Sequence, residues 1–254
     1  MRIDGLSQIA ARFGGMLIDQ FGVIHDGEKL YPGALGALAE LKALRIPVAV
    51  MTNSGKRAAA NRQRLVKMGV PRGNFVDCIS SGELAYQSLA GKRAILIGRS
   101  GDHYGFDHTT FVATPEDAEV ILIIGSDAPR TSLADYARLL RGLTLPAICG
   151  NPDKLMLTPQ GLQPAPGAIA ALYEEMGGKV TWIGKPFPAI FAGAREMIGN
   201  PVQALCIGDS AEHDVAGGRA AGMSTLLVMT GISAGLDPGQ IDPQPDFWMD
   251  ALQW

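Results

Sequence analysis

The chain lacks the features that would direct it to a membrane, a secretory route or nucleic acid. No apolar run approaches the roughly 18 residues that a bilayer span requires, and the N-terminal MRIDGLSQIAARF has no continuous apolar core of the signal-peptide kind. Basic charge is not in excess either, since the formal net charge is -3. The one local basic group, Lys56, Arg57, Arg62, Arg64 and Lys67, falls in a helical pattern and reads as a solvated helix face. Nucleic acid is therefore not an expected partner. Cysteine is scarce: Cys78, Cys149 and Cys206 are far apart, show no CxxC spacing and sit in or beside apolar runs. An odd number of buried thiols suits a reducing compartment, and cytoplasmic residence is the expectation.

What is present is a folding core. With 254 residues, 47% of them apolar, the chain is long for one compact domain and suits one domain with a large insertion, or two. Its organising stretch is MLIDQFGVIHDG at 16–27, where a short apolar run ends on Asp19 and turns at Gly22. Such a run places a carboxylate at the C-terminal edge of a parallel strand, the edge where open α/β sheets bind ligands. A second run, 46–51, ends on Thr52-Asn53-Ser54, and a third, 204–207, ends on Gly208-Asp209-Ser210 with Asp214 further on. Between them, Gly184-Lys185-Pro186 holds a lone lysine at the start of a helical pattern.

In this order, Asp19 in DQFGVI, Thr52 in VMTNS, Lys185 in GKP, and Asp209 with Asp214 in IGDSAEHD resemble the haloacid dehalogenase superfamily of hydrolases. The long interval from Thr52 to Lys185, with NPD at 151–153, PAPGAIAAL at 164–172 and GKPFPAIF at 184–191, resembles its subfamily IIA. The resemblance implies a Rossmann-like parallel-sheet core, residues 1–82 and 183–254, and an inserted α/β cap, residues 83–182, that selects substrate. It implies a Mg²⁺-dependent phosphatase for a small phosphorylated metabolite of the sugar or nucleotide phosphate class. Asp19 would be the nucleophile of an aspartyl-phosphate intermediate, with Thr52 and Lys185 as its catalytic partners. Thr52, Asn53, Lys185 and Asn151 would bind substrate. Asp19, the backbone carbonyl of Phe21, Asp209 and Asp214 would hold the metal. Caps of this kind also imply a homodimer.

The pattern along the chain gives an amphipathic helix over 1–14, then helices near 34–44, 57–68, 83–89, 132–143, 167–176, 188–198 and 213–221. Strands are expected at 93–97, 120–125, 147–149, 180–183 and 225–229, with the strand at 180–183 returning the chain to the core. The resemblance adds a final strand and a short helix after the Pro-rich tail. The cap segment GRSGDHYGFDH fits neither the dinucleotide fingerprint nor the P-loop, and His103 and His108 lack the partners of a zinc site.

One position departs from the resembling family. Where most of its phosphatases carry Asp-x-Asp, this chain reads Asp19-Gln20-Phe21. The missing second aspartate acts as general acid and base, a contribution of about 10²- to 10⁴-fold in rate. Nearby His25 has a side chain that titrates close to neutrality, yet a structural place for it is the simpler expectation. Two readings follow: a phosphatase, or a catalytically weak or inactive relative that binds a phosphometabolite as a regulatory protein.

Overall fold

The computed structural model describes residues 1–158 and 160–254. The chain divides into two compact α/β units: Met1–Thr52, Ala58–Ile79 and Lys185–Trp254 form the first, Asn53–Arg57 and Ser80–Gly184 the second. The second unit thus begins at Ser80 and takes in the short segment after Thr52, slightly wider than the 83–182 read from sequence.

The first unit is built on six strands in the order Phe247–Met249, Ser224–Val228, Ala204–Gly208, Gly15–Asp19, Val48–Thr52 and Asp77–Ser80. The first five are joined by parallel pairings. Gly15–Asp19, Val48–Thr52 and Ala204–Gly208 are buried along their whole length, which is why they read as unbroken apolar runs rather than as alternating ones. From the Asp19 strand the chain moves outward on one side to Val48–Thr52, and later resumes on the other side with Ala204–Gly208. Strand order therefore reverses between Asp19 and Asp209, and a crevice at such a switch point is where open α/β sheets bind their ligands.

Helices cover the sheet where the pattern predicts them, at Ala34–Ala43, Ala58–Lys67 and Pro188–Met197. The expected helix over 1–14 is instead two single 3₁₀ turns, Leu6–Gln8 and Ala10–Arg12. Its apolar residues Ile3, Leu6, Ile9 and Phe13 are buried all the same. The helix fails because the chain is drawn onto the C-terminal segment: Ile3 N–H donates to Trp248 O at 2.9 Å, and Gly5 lies against the Trp254 backbone, where a Cβ would meet Trp254 O at 2.2 Å. The tail supplies the strand Phe247–Met249 but no helix after it.

The second unit has its own five-stranded parallel sheet, ordered Val180–Trp182, Ala147–Cys149, Val120–Ile123, Arg93–Ile97, Thr110–Phe111. Val180–Trp182, expected to lead back into the core, is an edge strand of this sheet. The antiparallel hairpin Leu155–Thr158 with Gly161–Pro164 escaped sequence reading, since its strands mix a proline and exposed leucines with no clean alternation. Helix Ser81–Ser88 starts on an N-cap, Ser80, whose side chain accepts from Glu83 N–H. The basic group expected to be solvated is largely paired: Lys56 contacts Asp102, Arg57 grips Glu83 at 2.8 Å and Arg62 bonds Asp77 at 2.8 Å. Acidic partners far along the chain account for the difference. All three cysteines are free and buried, and among the described residues no helix is long and apolar enough to cross a membrane.

Candidate active site

Register alone assembles the centre of the site. Asp19 is level with Met51, so Thr52 stands one residue beyond it on one neighbouring strand. Ile18 is level with Ile207, which puts Gly208 level with Asp19 and Asp209 one residue beyond on the other. Asp19 thus sits between Thr52 and Asp209 at the carboxyl edge, and all three are at most 6% exposed.

Lys185 enters this edge from the start of the segment that leads into helix Pro188–Met197. Its ammonium lies 2.9 Å from Asp19 Oδ1 and 2.8 Å from Asp214 Oδ1, with the side chain only 4% exposed. Burial works against the charge on Lys185, but the two carboxylates outweigh it and raise its pKa. Asp19 Oδ1 also accepts from Gln20 N–H at 2.7 Å. Its carboxyl is nonetheless shifted well up, first by burial, against the pull of Lys185 and with Asp214 and Asp209 adding repulsion. Asp209 is pushed up to about 7, by burial and then by Asp214.

Asp214 comes from a π-helical turn, Ala211–Val215, that opens the helical segment after the Asp209 strand. Turns of this kind are rare and concentrate at functional sites. Asp214 Oδ1 takes Lys185 and Oδ2 accepts from Ser210 N–H at 3.1 Å, so both oxygens are engaged. Gly208 has no side chain because Asp214 occupies the space: a Cβ there would stand 1.9 Å from its Cγ.

Asp19, Asp209 and Asp214 offer carboxylate oxygens that lie within 4.8 Å of one another. Three carboxyl groups face one ammonium, a formal excess of two negative charges when all are ionised, and their donors are hard oxygens. That set fits a divalent cation of the oxygen-binding class. Among the described residues this is the group suited to a metal.

Sequence reading missed the loop that holds Asp209. Ile232 N–H donates to Asp209 Oδ2 at 2.8 Å, and Ser233 Oγ donates to Asp209 O at 2.6 Å. Thr230 Oγ1 donates to Gly22 O. Asp209 is clamped between glycines, since a Cβ on Gly22 would reach within 2.0 Å of Oδ2 and one on Gly231 within 1.8 Å. The signal was present: Thr230-Gly231-Ile232-Ser233 follows an apolar strand as Thr52-Asn53-Ser54 does.

Phe21, two residues beyond Asp19, is 48% exposed. Its backbone adjoins Gly22, the residue packed on Asp209, while its ring meets His25 edge-on with centroids 5.7 Å apart. His25 is buried, and Nδ1 accepts from Gly27 N–H at 2.9 Å. The ring proton is then on Nε2, 3.0 Å from the Gln20 carboxamide, whose oxygen must be the atom facing it. Burial, and secondarily Arg64, lowers the His25 pKa to about 4, which keeps the ring neutral.

Asn53 and Asn151 belong to the second unit. Asn53 Nδ2 donates to Asp153 Oδ1 at 2.8 Å, and Asn151 Oδ1 accepts from Asp153 N–H at 3.0 Å. His103 stacks on Phe111, and His108 lies against Tyr86.

The chain belongs to the haloacid dehalogenase-like hydrolases. Residues 16–137 match the family described as haloacid dehalogenase-like hydrolase, and residues 182–254 the one described as HAD-hydrolase-like. It is similar to dihydroxyacetone phosphatase of Corynebacterium glutamicum strain R, with 27% identity over 85% of this chain and 81% of that one. It is also similar to ribonucleotide monophosphatase NagD of Escherichia coli K12, with 25% identity over 91% and 92%. A haloacid dehalogenase-like hydrolase from Brucella suis 1330 shares the fold, with a TM-score of 0.85 and 25% identity over 98% of this chain and 99% of that one.

Proposed function

We propose that the protein is a Mg²⁺-dependent phosphatase for a small phosphorylated metabolite, working through an aspartyl phosphate on Asp19. The observation that carries this reading is the contact of Lys185 with Asp19 inside a buried group of three carboxylates. Pure ligand binding does not call for a nucleophilic carboxylate at that place. The relatives named for dihydroxyacetone phosphatase and ribonucleotide monophosphatase activity support a sugar or nucleotide phosphate class.

In this mechanism Asp19 attacks phosphorus in line, and Lys185 offsets negative charge on Asp19 and on the transferring phosphoryl group. Thr52, one residue beyond the level of Asp19 on the neighbouring strand, donates its hydroxyl to a phosphoryl oxygen. Asp209 and the Phe21 carbonyl, with Asp19 itself, would hold Mg²⁺; Asp214, engaged by Lys185 and Ser210 N–H, orients the set or joins it. Bound there, the cation supplies charge neutralisation for the carboxylate and the phosphate oxygens. Asn53 and Asn151 are proposed as substrate contacts, the second unit as the selector of substrate, and a cytoplasmic homodimer as the working form.

Phe21 favours a second reading, a weakened relative that binds a phosphometabolite without turning it over. Phosphate release from p-nitrophenyl phosphate and from a panel of sugar and nucleotide monophosphates, with Mg²⁺ and with excess chelator, separates the two. Release that requires Mg²⁺ supports the phosphatase. Binding without release on every substrate supports the regulatory protein.

A further inference from the structure

In-line attack by Asp19 drives the leaving oxygen out on the far side of phosphorus with the bonding electron pair. When that oxygen is an alkoxide it needs a proton in the same step. The proton-bearing groups beside Asp19 in the first unit are committed elsewhere. Lys185 is shared by Asp19 and Asp214, and both oxygens of Asp214 are occupied. Asp209 is tied to Ile232 N–H and belongs to the donor set for the cation. His25 is closed at both nitrogens, by Gly27 N–H and by Gln20. Burial raises the Tyr31 pKa, so its phenol holds its proton.

What the turn after Asp19 presents to solvent instead is the ring of Phe21. It is held between the His25 ring and Gly27, where a Cβ would come within 2.9 Å of Phe21 Cε2. A glycine is thus kept at 27, at φ +107°, and the space above it belongs to the aromatic ring. Two residues after the nucleophile the chain thus carries an apolar ring, packed on His25 and Gly27, that can neither give nor take a proton.

We infer that this site, on the phosphatase reading above, selects phosphorylated substrates whose leaving oxygen departs as a stable anion, a phenolate or a carboxylate, and turns over more slowly the phosphate esters of ordinary alcohols, the common sugar and nucleotide monophosphates among them. In the first step the Asp19 oxygen forms a bond to phosphorus and the bond to the leaving oxygen breaks. The leaving group departs with the electron pair and takes its proton later from water. In the second step water attacks the phosphorus of the aspartyl phosphate and the bond to Asp19 breaks. Carboxylate is regenerated, and phosphate leaves with the protons of that water, the excess passing to solvent.

The test is kcat/KM, with Mg²⁺, for p-nitrophenyl phosphate, phenyl phosphate, acetyl phosphate and a primary alkyl phosphate. Wild type is compared with Phe21→Asp, Phe21→Ala and Tyr31→Phe. Wild type is expected to favour the aryl and acyl phosphates over the alkyl ester by at least about 100-fold, the size of a missing general acid. Phe21→Asp should raise the ratio of alkyl-ester to p-nitrophenyl phosphate turnover by about 10²- to 10⁴-fold. Phe21→Ala and Tyr31→Phe should keep the wild-type preference. Should Phe21→Asp not fold, the wild-type series and Phe21→Ala still decide. An alkyl ester turned over within about tenfold of the aryl esters by wild type, or a preference lost in Phe21→Ala, overturns the inference while an Asp19-dependent phosphatase stands. Silence of wild type even on p-nitrophenyl phosphate removes the phosphatase reading and this selectivity with it.

Discussion

Gly231 lies so close to Asp209 that a Cβ would stand 1.8 Å from Asp209 Oδ2, at a backbone φ of +54°. No side chain fits there without moving the carboxylate. Gly231→Ala is therefore expected to weaken Mg²⁺ binding by about 10- to 100-fold, the usual cost of disturbing a ligand's support. Calorimetric titration of the variant with Mg²⁺ checks this, and unaltered affinity would show that Asp209 does not need the clamp.

Lys185 contacts both Asp19 and Asp214 in a buried group. Lys185→Met leaves their charges uncompensated, and loss of one partner from such a group costs about 3–5 kcal/mol. Urea unfolding near pH 7 should show that loss. The penalty should shrink as pH falls, because protonating the carboxyls removes the buried charge. A penalty that is constant with pH would assign the loss to packing.

His25 gives a pH dependence of the opposite origin. Its folded pKa is about 4 against an ordinary 6.5, so between these values the unfolded chain binds the extra proton. The contribution is fully present above pH 6.5 and is lost as pH falls toward 4. Relative to His25→Asn, wild type should lose stability over that window, by at most about 1.4 kcal/mol per pH unit, the one-proton limit. Parallel curves for the two proteins would mean that His25 is not held neutral.

On the proposed mechanism, the lack of a proton acceptor would also slow water's attack on the aspartyl phosphate. Rapid mixing with p-nitrophenyl phosphate should give a burst of about one nitrophenolate per chain before steady turnover. A linear trace from the first turnover would place the slow step before the covalent intermediate. Phe21→Asp should diminish the burst by speeding the second step.

The sheet strands were legible because burial on both faces writes them as apolar runs that stop at Asp19, Thr52 and Gly208. Parallel register then turns three separate strand ends into neighbours, which no local pattern states. The 3₁₀ turns near the N-terminus were hidden because the contacts of Ile3 with Trp248 and of Gly5 with Trp254 come from the far end of the chain. The pairing of Arg57 with Glu83 and of Lys56 with Asp102 was hidden for the same reason. In the site, acidic and basic residues announced themselves by type, whereas Gly22, Gly231 and Ile232 act through backbone and the space they leave. His25, for which a structural place is the simpler expectation, has a partner at each ring nitrogen that no local pattern states.

The central claim is that Asp19 carries phosphate during turnover. Acid quenching of the enzyme with p-nitrophenyl phosphate and Mg²⁺, borohydride reduction and peptide mass spectrometry test it most directly. The account predicts reduction of the trapped acyl phosphate at Asp19, converting that residue to homoserine, and no such product from Asp19→Asn. Steady phosphate release with Asp19 unmodified, or release that persists undiminished in Asp19→Asn, would contradict it.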